Sequence, residues 1–193
     1  MFQIAVAPEI EIRQWALADA DACFETVARN RASLREWLPW VDRTRSAEDI
    51  RNYIRTVAIP QYEGNQGPIC GIWVAGKLAG GIGCHAIDWA NRSCALGYWL
   101  DAEVRSRGVM TKCCAALLRY LFEELRLHRV CIRCATGNTQ SCAIPKRLGF
   151  RYEGLELEAE WVGDRWVDLV NWGILEGEWR QSVGDPPPSP GRA

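Results

Sequence analysis

Histidine is scarce in this 193-residue chain: only His85 and His128 stand beside 24 acidic residues, 23 basic residues and 9 cysteines. So few imidazoles leave a histidine-rich metal cage without ligands. Cys131 and Cys134 lie three apart in a strand-like run, which points them to opposite faces instead of toward one ion. The cysteine count is odd and the spacing is poor for zinc or a disulfide framework. Reduced, packed thiols and no metal are therefore expected, with Cys142, next to Ser141, the thiol to watch for reactivity.

Charge imbalance is missing as well. A formal net charge of −1 leaves no overall basic footprint for nucleic acid. No apolar stretch approaches the roughly 20 residues of a membrane span, and Met1 to Pro8 lacks the basic start and apolar core of an export signal. The expectation is a cytoplasmic protein with neither a membrane nor a nucleic-acid partner. At 48% hydrophobic content the chain can bury one sizeable core, so residues 1–181 read as a single domain. Residues 182–193, rich in proline and glycine, cannot build a core and are expected to be disordered.

Acid is also missing locally. From Val104 to Phe122 there is no Asp or Glu, whereas Arg105, Arg107, Lys112 and Arg119 are basic. Here Arg105-Ser-Arg-Gly-Val-Met-Thr111 joins the strand-like run Ala95 to Leu100 to helical spacing at Cys114, Leu117, Leu118, Leu121 and Leu125. A helix start offers unpaired N–H groups and the positive end of the helix dipole, and Gly108 lets a ligand approach the backbone. The loop reads as a phosphate cradle.

Ile10 and Ile12 alternate along Glu9 to Gln14, which predicts a first strand. Asp19 is placed to cap a helix running toward Asn30, and Ser46 with Asp49 to cap another reaching Tyr62. Between them lies Arg35-Glu-Trp-Leu-Pro-Trp40. A hairpin follows, Ile69 to Val74 and Lys77 to Cys84 turning at Ala75-Gly76, and then a strand over Ser93 to Leu100. After the cradle helix, Arg129 to Thr136 completes a strand–helix–strand series, the pattern of a parallel crossover. Ser141 to Leu148 reads as a short helix closed by Gly149. Arg151 to Val162 and Trp166 to Leu175 form a last hairpin around Gly163-Asp164. On its first strand Glu156, Glu158 and Glu160 alternate onto one face, opposite Leu155, Leu157 and Ala159.

Arg105 and Gly108, three apart, resemble the acyl-CoA loop of the GNAT acetyltransferases, although Met110 stands where a small residue is the rule. Asn138 to Phe150 with Glu153-Gly154, Gly97-Tyr-Trp-Leu100 and Ala159-Glu-Trp161 resemble, in order and spacing, the RimL and RimJ ribosomal-protein N-terminal acetyltransferases. The resemblance spans Ile10 to Trp179. It implies an α/β (α+β) GNAT fold: a central, mixed, mostly antiparallel sheet with flanking helices, in which the parallel strands Ala95 to Leu100 and Val130 to Thr136 splay apart.

It also implies acetyl-CoA as acyl donor, held by Arg105, Arg107, Gly108, Val109, Met110 and Thr111. Trp99 and Leu100 would meet the pantetheine arm through their backbones, and Asn138 would position the cofactor or the helix. An amine attacks the thioester directly. Glu160 matches the subgroup's base. Ser141 is the implied donor to the departing thiolate, because Pro145 occupies the place of the tyrosine donor of many relatives. A serine opening a helix is equally placed to be its N-cap, and Pro145 lacks the N–H that would bond the Ser141 carbonyl. Trp37 and Trp40 either line the acceptor entrance or fill the core.

The expected acceptor is a protein N-terminal α-amine. The alternatives are a small-molecule amine, such as an aminoacyl nucleotide or an amino-acid-derived toxin, and a catalytically silent CoA-binding module. An open groove would point to a protein terminus and a closed aromatic pocket to a small molecule. Ten tryptophans and the dimers of RimL-like proteins raise the expectation of a homodimer.

Overall fold

The computed structural model describes residues 2–183. Among these, alternation and helical spacing lay out β1 (Gln3–Ala7), β2 (Ile10–Gln14), α1 (Ala20–Arg29), α2 (Arg31–Leu34), α3 (Ala47–Tyr53), α4 (Ile59–Glu63), β3 (Ile69–Val74), β4 (Lys77–Cys84), β5 (Ser93–Leu100), α5 (Val109–Arg119), β6 (Arg129–Ala135), α6 (Thr139–Arg147), β7 (Arg151–Val162), β8 (Arg165–Leu175) and α7 (Glu176–Val183). One eight-stranded sheet runs β1-β2-β3-β4-β5-β6-β8-β7. Every neighbouring pair is antiparallel except β5 and β6. The mixed, mostly antiparallel α/β sheet implied by the resemblance is the observed one.

Each face of the sheet buries its own core. Ile72 and Trp73, adjacent on β3, enter different clusters, as the alternation of a strand requires. On one face α5 buries Cys113, Cys114, Leu117 and Leu118, a three-and-four spacing, together with Phe122 and Trp179. On the other, α1 and α3 contribute Val27 and Ile50 beside Trp15 and Trp73. No helix among the described residues is long and apolar enough to cross a membrane.

Several boundaries differ from the sequence reading. The strand expected first is the second. It pairs with β1, Ile4 opposite Ile12, an edge strand whose five residues are short and only weakly patterned in burial. Asp19 does not cap α1 with its side chain. Its carboxylate accepts the Ala16 N–H at 2.8 Å and both Arg13 Nη groups at 2.9 Å, within a 3-10 turn that leads into the helix. The expected cap at Ser46 is present: the Asp49 N–H donates to Ser46 Oγ at 3.3 Å, and Asp49 Oδ2 accepts the Ser46 N–H at 2.8 Å. The α7 helix takes in Ser182 and Val183, and the rest of the expected tail, 184–193, lies outside the described residues.

Candidate active site

Strands β5 and β6 pair from Ser93 opposite Arg129 to Leu96 opposite Ile132 and then part. Gly97 to Leu100 and Arg133 to Ala135 therefore form the two lips of a gap. The cradle lies just past the end of β5. Gly108 is the N-cap of α5 at φ 73°, and Ser106 before it is also left-handed at φ 60°. The first helical bond runs from the Lys112 N–H to the Gly108 carbonyl at 3.0 Å, so the amides of Val109, Met110 and Thr111 have no partner within the helix. A Cβ built on Gly108 would meet nothing within 4 Å. That open space, beside unpaired amides at a helix N-terminus, suits the phosphates of acetyl-CoA. The Met110 side chain is buried in the core. Arg107 and Lys112 are exposed. Arg105, expected at the phosphates, turns its guanidinium back: Nε and Nη2 each donate to the Leu100 carbonyl at 3.2 Å, and Nη2 to Ser33 Oγ at 3.2 Å.

Asp101 anchors the turn between β5 and the cradle and is almost wholly buried. Its carboxylate accepts Asn30 Nδ2 at 2.9 Å, the Glu103 N–H at 3.1 Å and the Arg29 guanidinium. Burial works against its ionisation, but the bonds from Asn30, Arg29 and Glu103 prevail and hold its carboxyl below the ordinary 3.8. We expect Asp101→Ala to cost about 3 kcal/mol in chemical denaturation, the low end for a broken buried ion pair because the Arg29 it leaves behind can still reach water. A depressed carboxylate stabilises the fold fully above its unfolded value and progressively less as pH falls through the lower folded one. The wild-type advantage over Asp101→Ala should accordingly shrink only in acid below about pH 4.

Asn138, not Ser141, is the N-cap of α6, and its Oδ1 accepts the Ser141 N–H at 3.1 Å. Ser141 thus sits inside the first turn, leaving its hydroxyl for other contacts. Its Oγ lies 3.3 Å from Tyr98 Oη, on β5, and 3.3 Å from Cys134 Sγ, on β6. The carbonyl that Pro145 cannot serve is taken by the Tyr98 hydroxyl at 3.2 Å. Burial pushes the Cys134 thiol up to about 11. Cys142 is buried against the Ala135 carbonyl, so the thiol singled out from sequence is covered, and Cys134 is the one beside the serine.

Glu160 reaches the same cleft from the last hairpin, though not by simple alternation. Glu156 pairs with Leu169 and Glu160 with Val167, so Leu157, Glu158 and Ala159 together oppose Asp168. Glu158 takes φ 47°, and its N–H donates to Asp168 Oδ1 at 2.8 Å. This bulge disrupts the expected stripe of three carboxylates. Glu156 binds Asn171 and Arg133, Glu158 is exposed, and Glu160 is half-buried in the cleft. Leu155 and Leu157 are exposed. Desolvation raises the pKa of Glu160 above its ordinary value, with the positive fields of Arg133 and His85 opposing. His85 was not anticipated from sequence.

The cleft encloses about 1540 Å³ and runs from the cradle past Ser141 and Glu160 to Trp37, Trp40 and Trp99. The Trp40 and Trp99 rings meet edge-on, centroids 6.0 Å apart. Trp37 lies under the Arg165 guanidinium, which also bonds the Glu36 carbonyl at 3.3 Å. Both tryptophans of the Trp37–Trp40 segment therefore line the cleft and are only partly buried. Among the described residues no group of three or more His, Cys, Asp or Glu could hold a metal ion.

The acetyltransferase (GNAT) domain family matches residues 9–151. The chain belongs to the GNAT acetyltransferase family. Within this GNAT family it is 36% identical over 179 residues to YdaF of Bacillus subtilis (strain 168), a provisionally assigned ribosomal N-acetyltransferase, covering 93% of this chain and 98% of that one. It is 26% identical over 166 residues to the ribosomal-protein-serine acetyltransferase of Escherichia coli (strain K12), covering 86% and 92%. RimL, a ribosomal alpha-N-protein acetyltransferase solved with coenzyme A, superposes with a TM-score of 0.87 at 25% identity over 90% of this chain and 98% of that one. This GNAT protein is an acetyl-CoA N-acetyltransferase close to the ribosomal-protein acetyltransferases.

Proposed function

We propose that the acceptor is the free α-amine of a polypeptide N-terminus, acetylated by direct attack on the thioester of acetyl-CoA. The observation that carries this reading is the parted β5–β6 pair, with the cradle at one end and Ser141 and Glu160 reaching the same cleft. The cradle amides and the exposed Arg107 and Lys112 would hold the phosphates, and the freed edge of β5 would meet the pantetheine arm. The cleft wall runs from Trp37 and Trp40 to the exposed Tyr53 and Val57. Taken as an open groove, it would admit the end of a chain. An α-amine, with a pKa near ~8 against ~10.4 for lysine, is far more often unprotonated near neutrality.

Two residues then divide the chemistry. Glu160 takes a proton from the amine as the C–N bond forms. As the C–S bond breaks, its electron pair goes to sulfur, and Ser141 gives sulfur a proton. The proton on Glu160 leaves to solvent and Ser141 regains one, so an amine and a thioester become an amide and a thiol.

CoA release from acetyl-CoA, followed across free-α-amine peptides, N-blocked lysine peptides and aminoacyl nucleotides, tests the assignment. Fastest release with the free-α-amine peptides is expected. Preference for the nucleotides would instead support the small-molecule reading, for which the aromatic wall of Trp37, Trp40 and Trp99 speaks, and no release with any of them would support a silent module.

The last hairpin exposes Tyr152, Leu155, Leu157, Trp161 and Trp166. So much apolar surface on one hairpin is the ground for proposing a homodimer. Light scattering at high concentration should give twice the monomer mass, and a monomer there would remove that proposal without touching the chemistry.

A further inference from the structure

We infer that Tyr98 is a positioning residue for Ser141: its hydroxyl takes the carbonyl that Pro145 leaves without a helical partner and thereby fixes the serine hydroxyl between the parted strands. The inference rests on the acetyl-transfer reading above and adds a residue to it.

The argument begins with proline. In a regular helix the Ser141 carbonyl would accept the N–H four residues on, but that residue is Pro145 and has none. A carbonyl left unpaired in a half-buried place is costly, and Tyr98 Oη, 3.2 Å away, removes that cost. Tyr98 projects from the freed part of β5, beyond the last β5–β6 pair at Leu96 and Ile132. Its contact therefore ties the first turn of α6 to one lip of the gap.

The direction of the bonds follows. A phenol has one proton. With that proton committed to the Ser141 carbonyl, Tyr98 can only accept from Ser141 Oγ, so the serine is the donor in the 3.3 Å contact between them. The other acceptor within reach of the serine proton is Cys134 Sγ at 3.3 Å, on the opposite lip, and sulfur is a weak acceptor. The serine proton is thus held between β5 and β6 by two long, weak bonds. Turning it to a developing thiolate in the gap gives up little. Burial pushes the Tyr98 hydroxyl far above its ordinary value, so the phenol stays neutral and keeps the proton that sets this order.

The test compares parent, Tyr98→Phe, Ser141→Ala and the double variant in full-length protein, using acetyl-CoA and a free-α-amine peptide. Tyr98→Phe should lower kcat by about tenfold, the worth of one hydrogen bond expressed at the departing thiolate, with KM for acetyl-CoA near the parent's. Because Tyr98 acts through Ser141, the double variant should be no slower than Ser141→Ala alone. A tyrosine that merely held the fold would lower kcat equally in both backgrounds, and that multiplicative loss would overturn the inference. Parental kcat in Tyr98→Phe would overturn it too.

Pro145→Ala gives a second, independent arm that leaves Tyr98 in place. It supplies an N–H for the Ser141 carbonyl, so the phenol proton can turn to Ser141 Oγ, and kcat should fall in the same sense. An unchanged kcat there would count against the bond order argued above. A parent protein that releases no CoA with any amine would remove the acetyl-transfer reading itself, an outcome distinct from failure of the Tyr98 variants.

Discussion

Replacing Glu160 with glutamine is expected to slow acetyl transfer by about 10²- to 10⁴-fold, the usual loss when a general base is removed. Glutamine keeps the size of the side chain, and Glu160 lies on the hairpin side of the cleft, away from the cradle, so acetyl-CoA affinity should stay near the parent's. The loss should fall on kcat. The pH profile gives an independent reading. Glu160 must be ionised to accept a proton, and burial holds its pKa above the ordinary 4.5. Activity should therefore decline as pH falls through that raised value, on top of the decline from protonating the acceptor amine. In Glu160→Gln the carboxylate limb should vanish and only the amine limb remain. Near-parental single-turnover rates at saturating substrate would return Glu160 to the ordinary acidic surface of its strand.

Gly108→Asp is expected to weaken acetyl-CoA binding by about tenfold to a hundredfold, the equivalent of losing one charge-assisted hydrogen bond. The site explains why the effect should be local. A Cβ at Gly108 would touch no protein atom, so the fold has no clash to relieve, and aspartate is among the residues that tolerate a left-handed backbone. The carboxylate would occupy the space proposed for phosphate, with the wrong charge at the N-terminus of α5. Gly108→Ala separates bulk and backbone strain from charge and should lose less. In the parent, acetyl-CoA should raise the unfolding temperature by mass action, and in Gly108→Asp most of that rise should disappear at the same ligand concentration. Equal thermal shifts in the two proteins would place the phosphates elsewhere.

What the sequence made legible was mostly local. The bounds of Ile69–Val74, Lys77–Cys84 and Ser93–Leu100 coincide with β3, β4 and β5, because alternation and turn residues lie within a few positions of one another. The Ser46–Asp49 box spans three residues and was equally readable. The glycine-opened helix α5 was legible because the glycine, the following helical spacing and the acid-free stretch are contiguous.

What escaped depends on distant partners. Asp101 owes its burial to Arg29 and Asn30, more than seventy positions away. Tyr98 meets Ser141 across 43 positions. Pro145 pointed to a carbonyl without a partner but could not show which side chain would find it. The carboxylate stripe failed for a related reason: strict alternation assumes an unbroken ladder, whereas Glu158 is turned out by a left-handed backbone that Asp168 holds from the neighbouring strand.

Direct transfer is the central claim, and nine thiols offer an obvious rival in which an acetyl-enzyme forms first. The most direct test mixes full-length protein with acetyl-CoA alone and follows CoA release and intact protein mass by rapid quench, then adds a free-α-amine peptide. The account predicts no CoA release and no acetyl group on the protein before the peptide arrives, then release of CoA in step with acetylation of the peptide's α-amine. A burst of CoA with one acetyl group on a cysteine, passed on when the peptide is added, would contradict it.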